Sequence, residues 1–189
     1  IGYIPEGDTP DMLDKTVEML SGVRLDFYPG EKFSYTTVNY DILGCIIQRI
    51  TGESFETFIT EQILRPLGLY KTYLTRQEAA AVGPLAQGYK VEFLQTVPYD
   101  APVYRGNTPA GYVISSAEDM VRWMKIQMGL VELPEAWKEL IEASHRPDLS
   151  VLPQGNCFYA AGWSVTSDGT SVLHGGSNPN YSSHLYMDM

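Results

Sequence analysis

The sequence predicts an α+β fold, with helices first and strands last. Two observations carry this. Apolar residues recur at helical spacing from about residue 9 to 143, whereas after Asn156 they alternate at strand spacing around an Asp168-Gly169 hairpin signal. From Leu85 to Ile114 neither period holds, so that Tyr-, Pro- and Gly-rich stretch reads as a functional loop or as short strands. The expected division is residues 1–155, mainly helical, and residues 156–189, part of an antiparallel sheet.

Each element has its own signals. Thr9-Pro10 suits a helix start, Leu13, Val17 and Leu20 give its apolar stripe, and Gly22 ends it. Leu43, Ile46, Ile47 and Ile50 place a stripe on a helix over about 38–51, with Gly52 as its stop. Ser54 caps a third helix whose Phe55, Phe58, Ile59 and Ile63 face inward until Pro66 forbids continuation. Ser116 to Asp119 resembles a capping box with Asp in place of Glu. Met120, Val121, Met124 and Met128 then form the buried side, and Gly129 closes the helix. A shorter helix over 134–143 puts Trp137, Leu140 and Ile141 inside. Strands are expected from Tyr159 to Thr166, from Ser171 to His174, and around Ser183, Leu185 and Met187.

Composition narrows the function. A chain of 189 residues with 44% hydrophobic content can bury a core. Its formal net charge of −10, with no basic stripe, argues against nucleic acid, and its scattered Lys and Arg argue against an anionic membrane surface. Cys45 sits in an apolar run and predicts a buried thiol; a disulfide to Cys157 is neither required nor forbidden. The three histidines fall in no ligand spacing, so no metal is expected. His145 reads as a surface residue near a helix end. Phosphate-binding glycine loops and Gly-x-Ser-x-Gly are absent from the sequence, and no cofactor is implied. The chain starts at Ile1-Gly2-Tyr3 and stops at Met189 inside a predicted strand, and is expected to be a piece of a longer protein.

Two places invite chemistry. Tyr35 precedes the second helix; its ring either packs there, or its hydroxyl faces a substrate. A phenol becomes a useful base only beside a cation. His174-Gly175-Gly176 follows a predicted strand, either as a plain strand-ending turn or as a place where another chain or ligand approaches the backbone.

A resemblance bears on both. Pro29-Gly30-Glu31-Lys32-Phe33-Ser34-Tyr35, continuing to Asn39-Tyr40-Asp41-Ile42-Leu43-Gly44, resembles the middle motif of serine β-lactamase-like and penicillin-binding proteins. The similarity is to the branch of class C β-lactamases, D-alanyl-D-alanine peptidases and esterases. Ile63 to Leu69 with Thr72, Pro109-Ala110-Gly111 with Ser115 to Met120, and Tyr159 to Trp163 resemble further segments of that family in the same order. His174-Gly175-Gly176 falls where the family carries Lys-Thr-Gly or His-x-Gly.

The resemblance implies the mostly helical subdomain of a β-lactamase/transpeptidase-like fold with part of its antiparallel sheet. It implies a serine hydrolase that forms an acyl-enzyme on an amide or ester carbonyl. Tyr35 would then be the proton-relay tyrosine activated by nearby cations, with Thr37, His174, Gly175 and Gly176 binding substrate. Thr37 departs from the family's asparagine, and its hydroxyl offers fewer hydrogen bonds over a shorter reach. No serine in the sequence is followed three residues later by lysine, so the nucleophile motif is missing and the chain alone is expected to be inactive. The alternative is a non-catalytic module binding cell-wall peptides or a partner on the same scaffold. Expected partners are a small-molecule or peptide substrate with a carbonyl centre, the remainder of the parent protein, and a second copy through the edge at 182–188. A place outside the cytoplasm or at a membrane anchor is implied by the resemblance alone.

Overall fold

The computed structural model describes residues 4–189 and combines helices with antiparallel sheet. In chain order come α1 (Met12–Glu18), α2 (Val38–Thr51) and α3 (Phe55–Ile59), which runs on as a π-helical turn over Thr60–Leu64. Then follow β1 (Thr72–Tyr73), α4 (Arg76–Val82), β2 (Tyr89–Glu92) and β3 (Gln95–Pro98). A 3₁₀ turn (Arg105–Asn107) leads into α5 (Thr108–Gly111), β4 (Ile114–Ser115), α6 (Ala117–Gln127) and α7 (Glu135–Ser144). Last come β5 (Cys157–Tyr159), β6 (Ser164–Thr166), β7 (Ser171–Asn178) and β8 (Tyr181–Asp188). The stretch with no clear period thus holds a β-hairpin and two helical turns.

The chain forms two compact units. The first comprises the described residues of Ile1–Arg24, Tyr35–Asp119 and Ser177–Tyr181; the second comprises Leu25–Ser34, Met120–Gly176 and Ser182–Met189. Met12, Leu13, Cys45, Leu64, Leu67, Leu69 and Leu74 are buried in the first unit. Glycine permits a close approach there, since a Cβ at Gly44 of α2 would lie 2.5 Å from Pro109 Cγ of α5. The second unit is built on Trp163, Val165, Val172 and Met187, with Trp123, Met124, Met128 and Leu185 against them. These come from β6, β7, β8 and α6, with Trp163 just before β6 and Met128 just after α6.

Several ends match the local chemistry. Gly52 adopts φ +74° and closes α2, where an L side chain would be strained. Ser54 accepts the Thr57 N–H at 3.1 Å and so caps α3. Helix α4 was not among the sequence expectations, although Thr75-Arg76-Gln77-Glu78 carries a capping-box pattern. Thr75 Oγ1 accepts the Glu78 N–H at 3.2 Å and donates to the Glu78 carboxylate at 2.9 Å.

Other expectations need correction. Helix α1 starts at Met12, because Thr9 and Pro10 form a preceding turn in which the Thr9 carbonyl accepts the Met12 N–H. On α2 the buried residues are Asp41, Gly44 and Cys45, while Leu43, Ile46 and Ile50 of the apolar stripe are exposed. Periodicity located this helix but misassigned its inward face. Val121 on α6 and Leu140 on α7 are exposed as well, and Ile126 is buried instead of Val121. The strand expected over Tyr159 to Thr166 is two strands, β5 and β6, parted by a turn in which Gly162 takes φ +82°. The Asp168-Gly169 connection spans residues 167–170, with Asp168 Oδ1 accepting from Thr166 Oγ1, Thr170 N and Thr170 Oγ1. Those donors hold the Asp168 carboxyl at about 2. His145 is half-buried at the end of α7, 2.9 Å from Gln127 Oε1 and edge-on to Trp163. Burial lowers its pKa.

Candidate functional site

Tyr35 lies three residues before α2 and is 52% exposed, so its position is a surface one rather than a core one. Thr37 occupies the N-cap position with φ −66° and ψ −33°, and its side chain makes no capping hydrogen bond. Its backbone carbonyl accepts the Tyr40 N–H at 3.0 Å. A threonine at this position usually caps; here the helical backbone angles turn the hydroxyl away from that task.

One turn into α2 stands Asp41, fully buried at 0% exposure. The backbone N–H of Ala110 donates to its carboxylate. The Asn107 amide, oriented with its nitrogen toward α2, donates to Oδ2 at 2.8 Å and to Oδ1 at 3.2 Å. Burial pushes this carboxyl up to about 7, against the opposing pull of the Ala110 N–H. Asp41 thereby joins the helix that follows Tyr35 to the Pro109-Ala110-Gly111 segment. Neither Asp41 nor Asn107 was among the predicted site residues. The available signal was an acid placed inside the run Tyr40-Asp41-Ile42-Leu43.

A second acid joins two other segments singled out in the sequence. Asp119 Oδ2 accepts the Lys71 N–H at 2.7 Å and the Thr72 hydroxyl at 2.8 Å. Thr72 Oγ1 lies 2.8 Å from Ser115 Oγ, within the β1–β4 pairing of Thr72 with Ser115. Ser116 Oγ does accept the Asp119 N–H at 3.2 Å, but the Asp119 carboxylate serves β1 and does not complete a capping box. A surface cavity of about 300 Å³ beside β1, lined by Leu64, Leu69, Tyr70, Thr72 and Tyr73 among others, contains none of the predicted site residues.

On the second unit, His174 lies in β7, half-buried, with its ring 6.4 Å from that of Tyr159 at an angle of 64°. Tyr159 in turn packs on Phe33 at 5.5 Å. Burial lowers the His174 pKa and so favours the neutral ring, partly opposed by a hydrogen bond with the Gly175 backbone. Gly175 and Gly176 are exposed within β7, and so lie inside a strand rather than in a turn. A Cβ at Gly176 would lie 3.1 Å from Ser183 Oγ, and one at Gly175 would lie 3.4 Å from His184 Nδ1. The Ser183 side chain of β8 therefore crowds a side chain at Gly176, whereas a Cβ at Gly175 would make only ordinary contact. Tyr35 and Thr37 belong to the first unit, and His174, Gly175 and Gly176 to the second. Cys45 and Cys157 are both free thiols. Among the described residues, no group of three His, Cys, Asp or Glu is placed to hold a metal ion.

The sequence matches the β-lactamase family model over residues 2–189, and the chain belongs to that family. It is 31% identical to the Staphylococcus aureus protein flp over 93% of this chain and 35% of that protein. It is 30% identical to penicillin-binding protein 4 of Amycolatopsis lactamdurans over 83% of this chain and 42% of that protein. The chain thus spans about 35–42% of the length of these relatives. Its fold is similar to the octameric penicillin-binding protein homologue from Pyrococcus abyssi, with a TM-score of 0.78 and 25% identity over 93% of this chain and 41% of that one. It is also similar to a β-lactamase/D-alanine carboxypeptidase from Pseudomonas syringae, at TM-score 0.75 and 17% identity over 98% of this chain and 58% of that one. The family and the fold agree with the resemblance read from the motifs.

The Asp41 tie makes stability depend on pH. Its folded value, about 7, lies above the ordinary 3.8, so its contribution is fully present below about pH 4 and is lost as pH rises through about 7. Urea unfolding of the wild type and of Asp41→Asn across pH 4 to 8 measures this. The wild type should lose stability relative to the variant by on the order of 2–4 kcal/mol as pH rises. A pH-independent difference would contradict the assignment.

Proposed function

We propose that this chain supplies the tyrosine and His-Gly-Gly portions of a serine-hydrolase site that acylates itself on an amide or ester carbonyl. The carrying observation is the surface placement of Tyr35 at the entry to α2, within motif segments that follow the family's order. In this reading Tyr35 relays a proton between the serine nucleophile and the leaving group. His174, Gly175 and Gly176 border the acyl group along β7, where a neutral imidazole offers one donor and one acceptor. The serine and lysine belong to the remainder of the parent protein. By the same family analogy, the site works outside the cytoplasm or at a membrane anchor.

Thr37 favours a second reading, a non-catalytic module that binds cell-wall peptides or a partner. Its hydroxyl carries one donor and its acceptor sites on a single oxygen, and cannot offer the two donors and separate acceptor of a carboxamide across the same span. The two readings differ in whether a Ser-x-x-Lys accompanies the chain in the parent.

Fluorescent penicillin tests the first reading. The isolated chain should take no covalent label, because a proton relay without its nucleophile has nothing to activate. A parent protein containing Ser-x-x-Lys should acylate, and Tyr35→Phe should slow that step by about 10²- to 10⁴-fold. Stoichiometric labelling of the chain alone, or an unaffected Tyr35→Phe parent, would overturn it.

Among the described residues, strand β8 is an edge of its sheet, with no strand paired on its outer side. We therefore expect the isolated chain to dimerise through residues 182–188. Light scattering should find a dimer that reverts to monomer when Ser183 is replaced by Pro; a monomer at all concentrations would count against it.

A further inference from the structure

The β2–β3 hairpin ends in an unusual turn. Glu92 pairs with Gln95, so Phe93 and Leu94 are the whole connection, and both take positive φ, +48° and +64°. A two-residue turn with positive φ at both positions favours Asn-Gly, Asp-Gly or Gly-Gly, and bulky apolar side chains are strained there. These two are also almost entirely in solvent, at 98% and 97% exposure, with Val91 beside them at 73%. Backbone preference and solvation both oppose this choice of residues.

The base of the hairpin is fixed while the tip projects. Tyr99 N–H donates to the Gly88 carbonyl at 2.9 Å, and the Tyr181 hydroxyl donates to the Ala86 carbonyl at 2.9 Å. Gly88 packs so closely on Tyr181 that a Cβ there would lie 3.1 Å from its ring. The arms carry no net charge to offer a partner. Lys90 is paired with Glu92 at 3.1 Å, and its ammonium also lies 4.5 Å from the Tyr99 ring centre.

We propose that the Phe93-Leu94 tip inserts into an electrically neutral lipid surface. Area decides between a lipid and a second copy. An aromatic side chain contributes roughly 150–250 Å², so Phe93 with the smaller Leu94 and Val91 supplies less than the about 800 Å² per partner of a stable protein interface. A lipid surface needs no matching shape and accepts two projecting side chains. Charge selects the lipid, because a chain with net charge −10 is repelled by anionic headgroups and the hairpin offers no free cation to offset that. This inference is independent of the proposed hydrolase site.

Flotation with phosphatidylcholine vesicles tests it, using the full chain and the double variant Phe93→Asn with Leu94→Gly. The wild type should float. The variant, which installs the favoured Asn-Gly turn, should lose at least 10-fold in bound fraction while its thermal midpoint stays equal or rises. In a Phe93→Trp chain, phosphatidylcholine should shift the tip tryptophan emission to the blue. The proposal is overturned if the wild type stays with the soluble fraction, floats only with phosphatidylglycerol, or floats equally well as the double variant. A tip-dependent dimer in solution, abolished by the double variant, would assign the tip to a protein partner and overturn it too.

Discussion

The first unit depends on one buried carboxylate. Asp41 sits at 0% exposure on α2, and among the described residues no ion pair reaches it: the Ala110 N–H and the Asn107 amide provide its contacts. Three charged groups on the elements packed around α2 have other partners. Asp14 of α1 meets Cys45, Lys15 meets Asp11, and Arg105 meets Glu56. A polar group buried this way is costly unless hydrogen-bonded, so α2 and α5 must keep their register for the fold to hold. That same register sets where the chain leaves Tyr35 at the helix entry.

Two further ties extend this frame. Arg105 Nε lies 2.7 Å from Glu56 Oε1, with both side chains largely buried, which holds the segment before α5 to α3. Breaking one partner of such a pair strands a buried charge, so its value lies in specifying an arrangement more than in net stability. Asp119 does the corresponding work between β1 and α6. The motif segments that define the family resemblance are thus, in good part, the places where distant stretches of chain are pinned together.

Much of the fold was legible, for physical reasons visible in particular residues. Helix α2 had both a strong period and a glycine stop, and its extent was anticipated. Its inward face was not, because periodicity counts apolar residues, whereas Gly44 buries its side by the close approach of Pro109 and Asp41 by its hydrogen bonds. The β2–β3 hairpin was missed since its turn is Phe93-Leu94, the opposite of a turn signal. Helix α4 escaped even though Thr75 and Glu78 announce it. Tyr35 and His174 stood out by placement, but their roles came from the resemblance, and Asp41 was passed over because its role depends on a partner 66 residues away in sequence, at Asn107.

The chain therefore belongs to the β-lactamase family, and the motif residues of its first unit stand on a hydrogen-bonded frame centred on Asp41. Carbon-13 NMR of the Asp41 side-chain carboxyl, followed through a pH titration, examines that centre directly. A midpoint near 7 is the result this account requires. A midpoint at or below 4, the ordinary range of a solvated aspartate, would contradict it.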